Sequence, residues 1–402
     1  MERVPPESVG LSSERLRRLD AALQRSVDRG DVAGVVTLLL RRGRVVHSVC
    51  CGQMDLATRS PMREDALFRI FSMTKPITSL AVLMLYEEGH FHLGTPIAQF
   101  IPAFGDVRVL AGQTDEGPVL EKLARPITIH DLLTHTSGLG YGLLPSDPVE
   151  TLYHQERMLR MDEPLADKVQ RLTALPLHHQ PGLRYTYSMA TDVLGRLVEI
   201  VSGMPLDAFL KQRLFEPLGM VDTDFYVLPE KRARLATLYT SVPDVGLADV
   251  AALPGDPDQF PFGAWTDKAA KPRFLSGGGG LVSTAADYLR FALLLRNGGE
   301  LDGVRCVSRK TIELMTSNVL RADQLFAPGF GYGLGVAVML DPARAQMLGS
   351  PGAFGGGGAA NTDFWLDPRE DLIGVLMTQY IAVAHCSLSL DFKVLAAQAI
   401  VD

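Results

Sequence analysis

The chain has little cysteine, and this limits the classes of protein to which it can belong. Only 4 of its 402 residues are cysteines, at positions 50, 51, 306 and 386, and none of them forms the C-x2-C pair that zinc sites commonly use. A disulfide scaffold is excluded, because such small secreted folds carry many paired cysteines. We interpret the four residues as buried thiols in a reducing compartment.

Basic clusters and long apolar runs are also scarce. Lysine and arginine total 39 against 46 aspartates and glutamates, a net charge of −7, and no basic run is denser than Arg41-Arg42-Gly43-Arg44. This balance argues against nucleic acid as a partner. No run of about 18 uncharged apolar residues occurs, and the N-terminus lacks the apolar segment of a signal peptide. We therefore expect a soluble cytoplasmic protein that does not bind membranes.

Two common hydrolase signatures are missing as well. No Gly-x-Ser-x-Gly occurs, which excludes the nucleophile elbow of α/β-hydrolases, and no His-x-x-x-His metalloprotease spacing occurs. The glycine-rich run at 276–284 lacks the combination of a helix and a lysine at its start that a phosphate-binding loop requires. We expect neither a metal nor an organic cofactor.

The rest of the composition is that of an ordinary folded protein, with 47% hydrophobic and 21% charged residues. Apolar spacing predicts helices at 12–23, 77–86, 191–202, 285–297 and 388–400. Strand-like runs occur at 35–40, 45–51, 332–340, 362–366 and 372–378. Since strands lie near both ends of the chain, we predict one sheet built from the two termini. Glycine and proline breaks predict loops, short helices and irregular structure at 88–185 and 226–275.

One Ser-x-x-Lys motif, Ser72-Met73-Thr74-Lys75, occurs where a strand-like run gives way to a long apolar helix. At helical spacing the hydroxyl of Ser72 and the amine of Lys75 lie on one face, close to the free N–H groups of a first turn. A lysine enclosed by apolar neighbours can lose its proton near neutral pH and accept a serine proton. This pattern favours acyl transfer on serine without a histidine. The alternative is an N-capping serine beside a surface lysine.

Three further motifs follow in order along the chain. They are Pro-Ile-Thr-Ile-His-Asp-Leu-Leu-Thr-His-Thr-Ser-Gly-Leu at 126–139, Pro-Gly-Leu-Arg-Tyr-Thr-Tyr-Ser at 181–188 and Glu-Pro-Leu-Gly-Met at 216–220. With the Ser72 motif they make the chain resemble the serine β-lactamase-like family over roughly residues 7–380. It is most similar to the class C β-lactamase-related esterases, the family VIII carboxylesterases, with transesterases of the lovastatin type as near relatives.

The resemblance implies an α/β plus α fold of the β-lactamase and D,D-peptidase type. This is an antiparallel sheet flanked by helices, with an inserted, mostly helical domain. The α/β domain is expected to comprise residues 1–80, 170–225 and 300–402, and the helical domain residues 81–169 and 226–299. The active site is expected in the groove between them.

The resemblance also implies the catalytic roles. Ser72 is the expected nucleophile, Lys75 its partner and Tyr187 the second member of a proton relay. A phenol has an ordinary pKa of about 10, so it acts as a base only where a nearby cation stabilises its phenolate. Tyr185, two residues away, is the competing candidate.

The third motif of the family, Lys-Thr-Gly, His-Thr-Gly or Trp-Gly-Gly, is expected within residues 354–362, where this chain has four successive glycines. Gly356 occupies the place of the Lys, His or Trp, which is a departure from the family pattern. A strand without side chains lets a substrate carbonyl approach the backbone, and the resemblance implies an oxyanion hole of the Ser72 and Ala359 N–H groups. The alternative is that residues 355–358 form only a flexible loop.

The residues expected to bind substrate are Tyr141, Phe354, Gly356, Gly357 and Gly358, with Phe326, Phe330 and Tyr332 as further candidates for an apolar pocket. Gly356 offers no cation or hydroxyl to hold a substrate carboxylate, which disfavours β-lactamase or D,D-peptidase activity beyond weak turnover. We predict a serine carboxylesterase that cleaves small to medium esters through an acyl-enzyme on Ser72, with a small-molecule ester as its partner. An acyltransferase on the same scaffold, a weak β-lactamase or D,D-peptidase, and a catalytically silent binding module are the alternatives.

Overall fold

A computed structural model describes residues 3–114, 117–253, 268–381 and 386–402. Within those residues, no helix is both long and apolar enough to cross a lipid bilayer. The four cysteines are half-buried free thiols, and burial raises their pKa values. Since the thiolate is the reactive form, none of them has the environment of a nucleophile.

The strands are short except for the first two. In chain order they are β1 (Gly34–Arg41), β2 (Arg44–Asp55), β3 (Ser60–Pro61), β4 (Phe68–Arg69), β5 (Arg108–Thr114), β6 (Gly117–Lys122), β7 (Tyr239–Val242), β8 (Gly246–Asp249), β9 (Val282–Ser283), β10 (Glu300–Leu301), β11 (Val304–Arg305), β12 (Phe330–Tyr332), β13 (Ala337–Met339), β14 (Phe354–Gly357), β15 (Asp363–Asp367), β16 (Leu372–Met377) and β17 (Tyr380–Ile381).

The described helices occur along the whole chain. They are α1 (Ser13–Asp28), α2 (Thr74–Glu87), α3 (Ile129–Leu133), α4 (Pro148–Gln155), α5 (Leu165–Leu172), α6 (Ala190–Ser202), α7 (Leu206–Leu210), α8 (Ala285–Arg296), α9 (Arg309–Met315), α10 (Pro342–Ala345) and α11 (Leu388–Ala397).

The largest sheet has eight strands in the order β12-β13-β14-β15-β16-β1-β2-β3. All neighbouring strands within it are antiparallel. β1 pairs with β16, with Val36 opposite Met377 and Arg41 opposite Leu372, and this pairing joins the two ends of the chain. The prediction of one antiparallel sheet built from both termini is confirmed.

Both faces of this sheet are covered. Val35 and Leu39 of β1 pack in a cluster with α1 and α11, whereas Val36 and Leu40 join the larger cluster that includes α2 and α8. Each buried side chain of this size stabilises the fold by about 1.5–3 kcal/mol. Because successive side chains of a strand point to opposite faces, a strand covered on both sides has a continuous apolar sequence.

α2 is buried over most of its length, and its start lies beside the sheet. Residues 74–85 are all buried, as expected for a helix that is apolar on every side. The hydroxyl of Tyr288, on α8, donates to the Met73 carbonyl at 2.9 Å. This bond holds the first turn of α2 against a helix that covers the sheet.

Several predictions of local structure are wrong. Residues 332–340 form β12 and β13 instead of one strand, because Gly335, with φ of +95°, turns the chain between them. Residues 108–114 and 117–122 form the antiparallel pair β5 and β6 instead of loops and short helices; these strands are largely exposed and have no alternating apolar pattern. The segment 226–275 contains the hairpin β7–β8, while its positions 254–267 lie outside the described residues. The domain boundaries stay a prediction.

Candidate active site

Ser72 lies in a short 3-10 turn, Phe71–Met73, that follows β4 and leads into α2. From residue 66 to residue 85 every residue is buried except Ser72, which is half-buried. Phe71 has φ of +42°, a conformation that bulky residues rarely adopt. The turn therefore presents a single hydroxyl from an otherwise buried segment, next to the start of a helix.

Lys75 follows one turn later and is only 2% exposed. Its Nζ donates to Ser72 Oγ at 3.2 Å, to the Gly278 carbonyl at 2.7 Å and to Tyr141 Oη at 3.4 Å. An ammonium group has three donors, so these acceptors use all of them. The alternative of a capping serine beside a surface lysine is wrong, because Lys75 is buried and Ser72 makes no capping bond to α2.

Tyr187 comes from the loop that precedes α6. Its hydroxyl donates to Ser72 Oγ at 2.5 Å, and the Nζ of Lys75 lies 4.5 Å from its ring centroid. The hydroxyl of Tyr185, the competing candidate, is buried without a hydrogen-bond partner among the described residues, and burial raises the pKa of Tyr185 well above its usual value. The structure thus brings Tyr187, and not Tyr185, to Ser72.

Two further rings contact Tyr187. Tyr141 stacks on it with ring centroids 5.4 Å apart and planes inclined by 10°, and burial raises the pKa of Tyr141 well above its usual value. The ring of His135 lies 5.0 Å away, with its Nδ1 3.1 Å from Ser188 Oγ. Burial lowers the pKa of His135 well below its usual value, so the imidazole is neutral. His135 contributes packing and a hydrogen bond rather than charge.

Asp192, on α6, is a residue of the site that sequence reasoning missed. It is 1% exposed, and its Oδ1 accepts from Ser276 Oγ at 2.6 Å and from the Gly278 N–H at 3.1 Å. Gly278 in turn accepts the hydrogen bond of Lys75, so Asp192 holds the carbonyl that orients the lysine. Burial raises the pKa of Asp192. Its one signal in the sequence is a lone carboxylate among apolar residues shortly after Tyr187.

β14 forms one wall of the site. It pairs with β15 over residues 354–357, so the flexible-loop alternative is wrong there. A Cβ on Gly356 would meet nothing closer than 3.9 Å, whereas a Cβ on Gly358 would lie 2.3 Å from the carbonyl oxygen of Ile70. The end of β14 therefore packs directly on the segment that carries Ser72, at a distance that only glycine permits.

A cavity of about 380 Å³ opens beside Ser72. It brings together most of the residues predicted for the site, namely Ser72, Lys75, Tyr141, Tyr187, Gly356, Gly357, Ala359, Phe326 and Tyr332. Three others lie elsewhere: Phe330 and Phe354 line a neighbouring cavity, and Gly358 packs against Ile70. In the described part of the chain, Lys75 is the only charged residue of this lining.

The described residues include no group of three or more His, Cys, Asp or Glu side chains placed to hold a metal ion. The polar side chains that meet at Ser72 are an amine, from Lys75, and a phenol, from Tyr187. A hydroxyl with such groups within hydrogen-bond reach has the composition of a nucleophilic acyl-transfer site.

Comparison with known proteins confirms the resemblance over most of the chain. The family described as Beta-lactamase matches residues 19–381. Protein Rv1367c of Mycobacterium tuberculosis is 38% identical over 387 residues, which cover 92% of this chain and 90% of the relative. Esterase EstB of Burkholderia gladioli is 32% identical over 370 residues, which cover 90% of this chain and 89% of the relative.

The solved structures agree with the sequence comparisons. The structure of EstCE1, described as a hydrolase with promiscuous acyltransferase activity, superposes with a TM-score of 0.77 at 27% identity, covering 94% of this chain and 97% of that one. The antiparallel sheet with its flanking helices is therefore of the β-lactamase and penicillin-binding protein type. The chain belongs to the β-lactamase family of serine hydrolases, and its relatives there include esterases.

Proposed function

We propose that the protein is a serine carboxylesterase that hydrolyses small to medium esters through an acyl-enzyme on Ser72. The observation that carries this proposal is the pair of hydrogen bonds that Ser72 Oγ receives, from Lys75 at 3.2 Å and from Tyr187 at 2.5 Å. Proton-transfer groups within reach of an accessible hydroxyl are what an activated nucleophile requires. The similarity to EstB and EstCE1 supports the same class of reaction.

The acylation step starts from the form of the Lys75 and Tyr187 pair that has lost one of these donor protons, so that one of the two groups can accept a proton. Ser72 Oγ then forms a bond to the ester carbonyl carbon, and its proton passes to that acceptor. The N–H groups of Ser72 and Ala359 stabilise the negative charge that develops on the carbonyl oxygen. The same pair returns the proton to the leaving alkoxide as the C–O bond breaks. Water then repeats the sequence on the acyl-enzyme and releases the acid.

The substrate is uncharged near its carbonyl group. Lys75 is the only charged lining residue of the cleft among those described, and it already donates to three acceptors. Gly356 supplies no cation for a carboxylate, and a charge-assisted hydrogen bond contributes about 1.5–3 kcal/mol. Simple neutral esters are therefore better substrates than β-lactams or peptides that end in D-alanine.

The test compares ester turnover and active-site labelling between wild type and the Ser72→Ala variant. We expect wild type to hydrolyse p-nitrophenyl acetate and to react with a fluorescent phosphonate, with mass spectrometry locating an acyl adduct on the Ser72 peptide. Ser72→Ala loses both activities and keeps its fold, whereas Ser60→Ala, outside the cleft, keeps both. Retention of more than a few per cent of turnover by Ser72→Ala, or nitrocefin hydrolysis as efficient as that of the ester, contradicts the proposal.

Acyl transfer to an alcohol is the second candidate activity. EstCE1 combines hydrolysis with promiscuous acyl transfer, and in this chain a further cavity of about 660 Å³ borders Tyr187 and offers room for an acceptor. The difference between the two reactions lies in acceptor binding and water exclusion. Product analysis with vinyl butyrate and added 1-butanol measures the ratio of butyl ester to free acid and so separates them.

A further inference from the structure

A second cavity, of about 500 Å³, lies on the face of the sheet that α11 covers; we call it the outer cavity. Trp365 lines it and belongs to the apolar cluster of α11, with its ring centroid 6.3 Å from that of Phe392. The other apolar lining residues include Met339, Leu348, Leu372, Ala397 and Ile400. Volumes of about 300–1,000 Å³ with mainly apolar walls are typical of ligand sites. The acylation and deacylation steps leave this cavity without a role.

The outer cavity shares part of its lining with the cleft beside Ser72. The residues that line both are Phe326, Ala337, Gly355, Gly356 and Gly357. After Phe354, β14 consists of glycine alone, so the partition between the two spaces is bare backbone. β13 pairs with β14 only at residues 354 and 355, so among the described strands the edge of β14 toward β13 is unpaired at Gly356 and Gly357. A flexible chain bound at Ser72 can pass over this edge without meeting a side chain of β14.

The chemistry of the leaving group decides which part of the ester faces each space. In the proposed reaction Tyr187 takes part in returning a proton to the alcohol, so the alcohol lies on the Tyr187 side of the carbonyl. On that side lies the cavity of about 660 Å³, whose lining includes Glu150, His178 and Arg184 beside three leucines. The acyl chain then extends in the other direction, toward β14.

We propose that the outer cavity binds the acyl chain of the substrate, which makes the preferred substrates esters of medium-length, uncharged carboxylic acids. This inference rests on the proposed esterase function. It assigns the apolar walls of the cavity to the part of the substrate that stays on Ser72 in the acyl-enzyme.

The rim and the charges of the outer cavity fit such an occupant. Phe326 is 41% exposed and Leu348 is 50% exposed, and a bound chain would cover both. Its described lining holds one cation, Lys393, which is paired with Asp363 at 2.6 Å, and three carboxylates, those of Asp363, Asp367 and Glu370. The cavity therefore suits an uncharged chain better than a free carboxylate.

Chain-length selectivity tests the proposal. Each buried methylene contributes about fourfold to kcat/KM, so wild type favours p-nitrophenyl octanoate over the acetate. Ala397→Phe, which fills the cavity far from Ser72, lowers the octanoate-to-acetate ratio at least fivefold while acetate turnover stays normal. Leu390→Phe, on the same helix and 43% exposed outside the lining, keeps the wild-type ratio. An unchanged ratio in Ala397→Phe overturns the assignment.

Binding without turnover gives an independent measurement. The chain has two tryptophans, so Trp265→Phe leaves Trp365 as the sole fluorophore of that kind. In a Ser72→Ala, Trp265→Phe protein we expect 8-bromo-1-octanol to quench Trp365 saturably, and Ala397→Phe to abolish that quenching. If quenching is not saturable but acetate hydrolysis still depends on Ser72, the acyl site is rejected and the proposed esterase function stands. Quenching without hydrolysis of any ester rejects the proposed function and, with it, the acyl assignment.

Discussion

The hydroxyl of Tyr187 donates a 2.5 Å hydrogen bond to Ser72 Oγ, although 115 positions separate the two residues in the chain. Lys75 reaches the same oxygen from only one helical turn away, at 3.2 Å. A local motif thus supplies one of the two proton-transfer neighbours, and the loop before α6 supplies the other. Loss of either leaves Ser72 with a single such neighbour.

We expect Tyr187→Phe and Lys75→Ala each to lower the acylation rate constant by about 10²–10⁴, the range for lost proton transfer. Tyr185→Phe is the matched control, because the Tyr185 hydroxyl has no hydrogen-bond partner among the described residues. The measurement is the burst of p-nitrophenol in rapid mixing. The double variant should be far from additive, since the two groups act on one oxygen. An inactive Tyr185→Phe beside a normal Tyr187→Phe would reverse the assignment.

Two glycines at the β14 wall should respond differently to the same substitution. A Cβ on Gly358 would lie 2.3 Å from the Ile70 carbonyl oxygen, so Gly358→Ala displaces the neighbouring Ala359 N–H from Ser72. We expect kcat to fall by about 10²–10³, the cost of one oxyanion-hole donor. Gly356→Ala has 3.9 Å of clearance and should keep kcat near wild type. Equal effects of the two substitutions on p-nitrophenyl acetate turnover would argue against this role of Gly358.

Asp192 is expected to act as a positioning residue through Gly278. Asp192→Ala leaves the Gly278 N–H without its acceptor and should lower kcat about tenfold to a hundredfold with little change in KM. Asp192→Asn keeps an oxygen that can accept the same bonds, so it should recover part of the loss. Steady-state kinetics and thermal unfolding of both variants measure this. A change in KM alone, or no rescue by asparagine, would point to a merely structural role.

The buried carboxyl of Asp287, on α8, leads us to expect that the free energy of unfolding depends on pH. It is 5% exposed, and burial raises its pKa to about 6. An unfolded aspartate titrates near pH 3.9, so between about pH 4 and pH 6 the folded chain binds the proton more tightly and stability falls as pH rises. Two pKa units correspond to about 3 kcal/mol. Asp287→Asn removes this titration. The difference between the Tm of the variant and the Tm of wild type should therefore increase from about pH 4.5 to about pH 7.5. A constant difference would contradict the expectation.

The sequence by itself determined the elements whose signals are local. Ser72 and Lys75 lie within one helical turn, so their spacing alone predicts that hydroxyl and amine share a face. β1 and β16 are recognisable as apolar runs because nearly all of their consecutive residues are buried. The exposed strands β5 and β6 were not predicted, because most of their residues face solvent and their sequence has no alternating apolar pattern.

Tertiary structure alone decided the contacts between segments that are distant in the chain. Both Tyr185 and Tyr187 lie in the motif, and only the approach of that loop to α2 selects the ring whose hydroxyl reaches Ser72. Tertiary structure alone also places Asp192 behind Lys75 through Gly278. It places Gly358, which was expected to contact substrate, against Ile70. Such contacts depend on how whole helices and strands pack, to within tenths of an ångström, and no period or spacing along the chain encodes those distances.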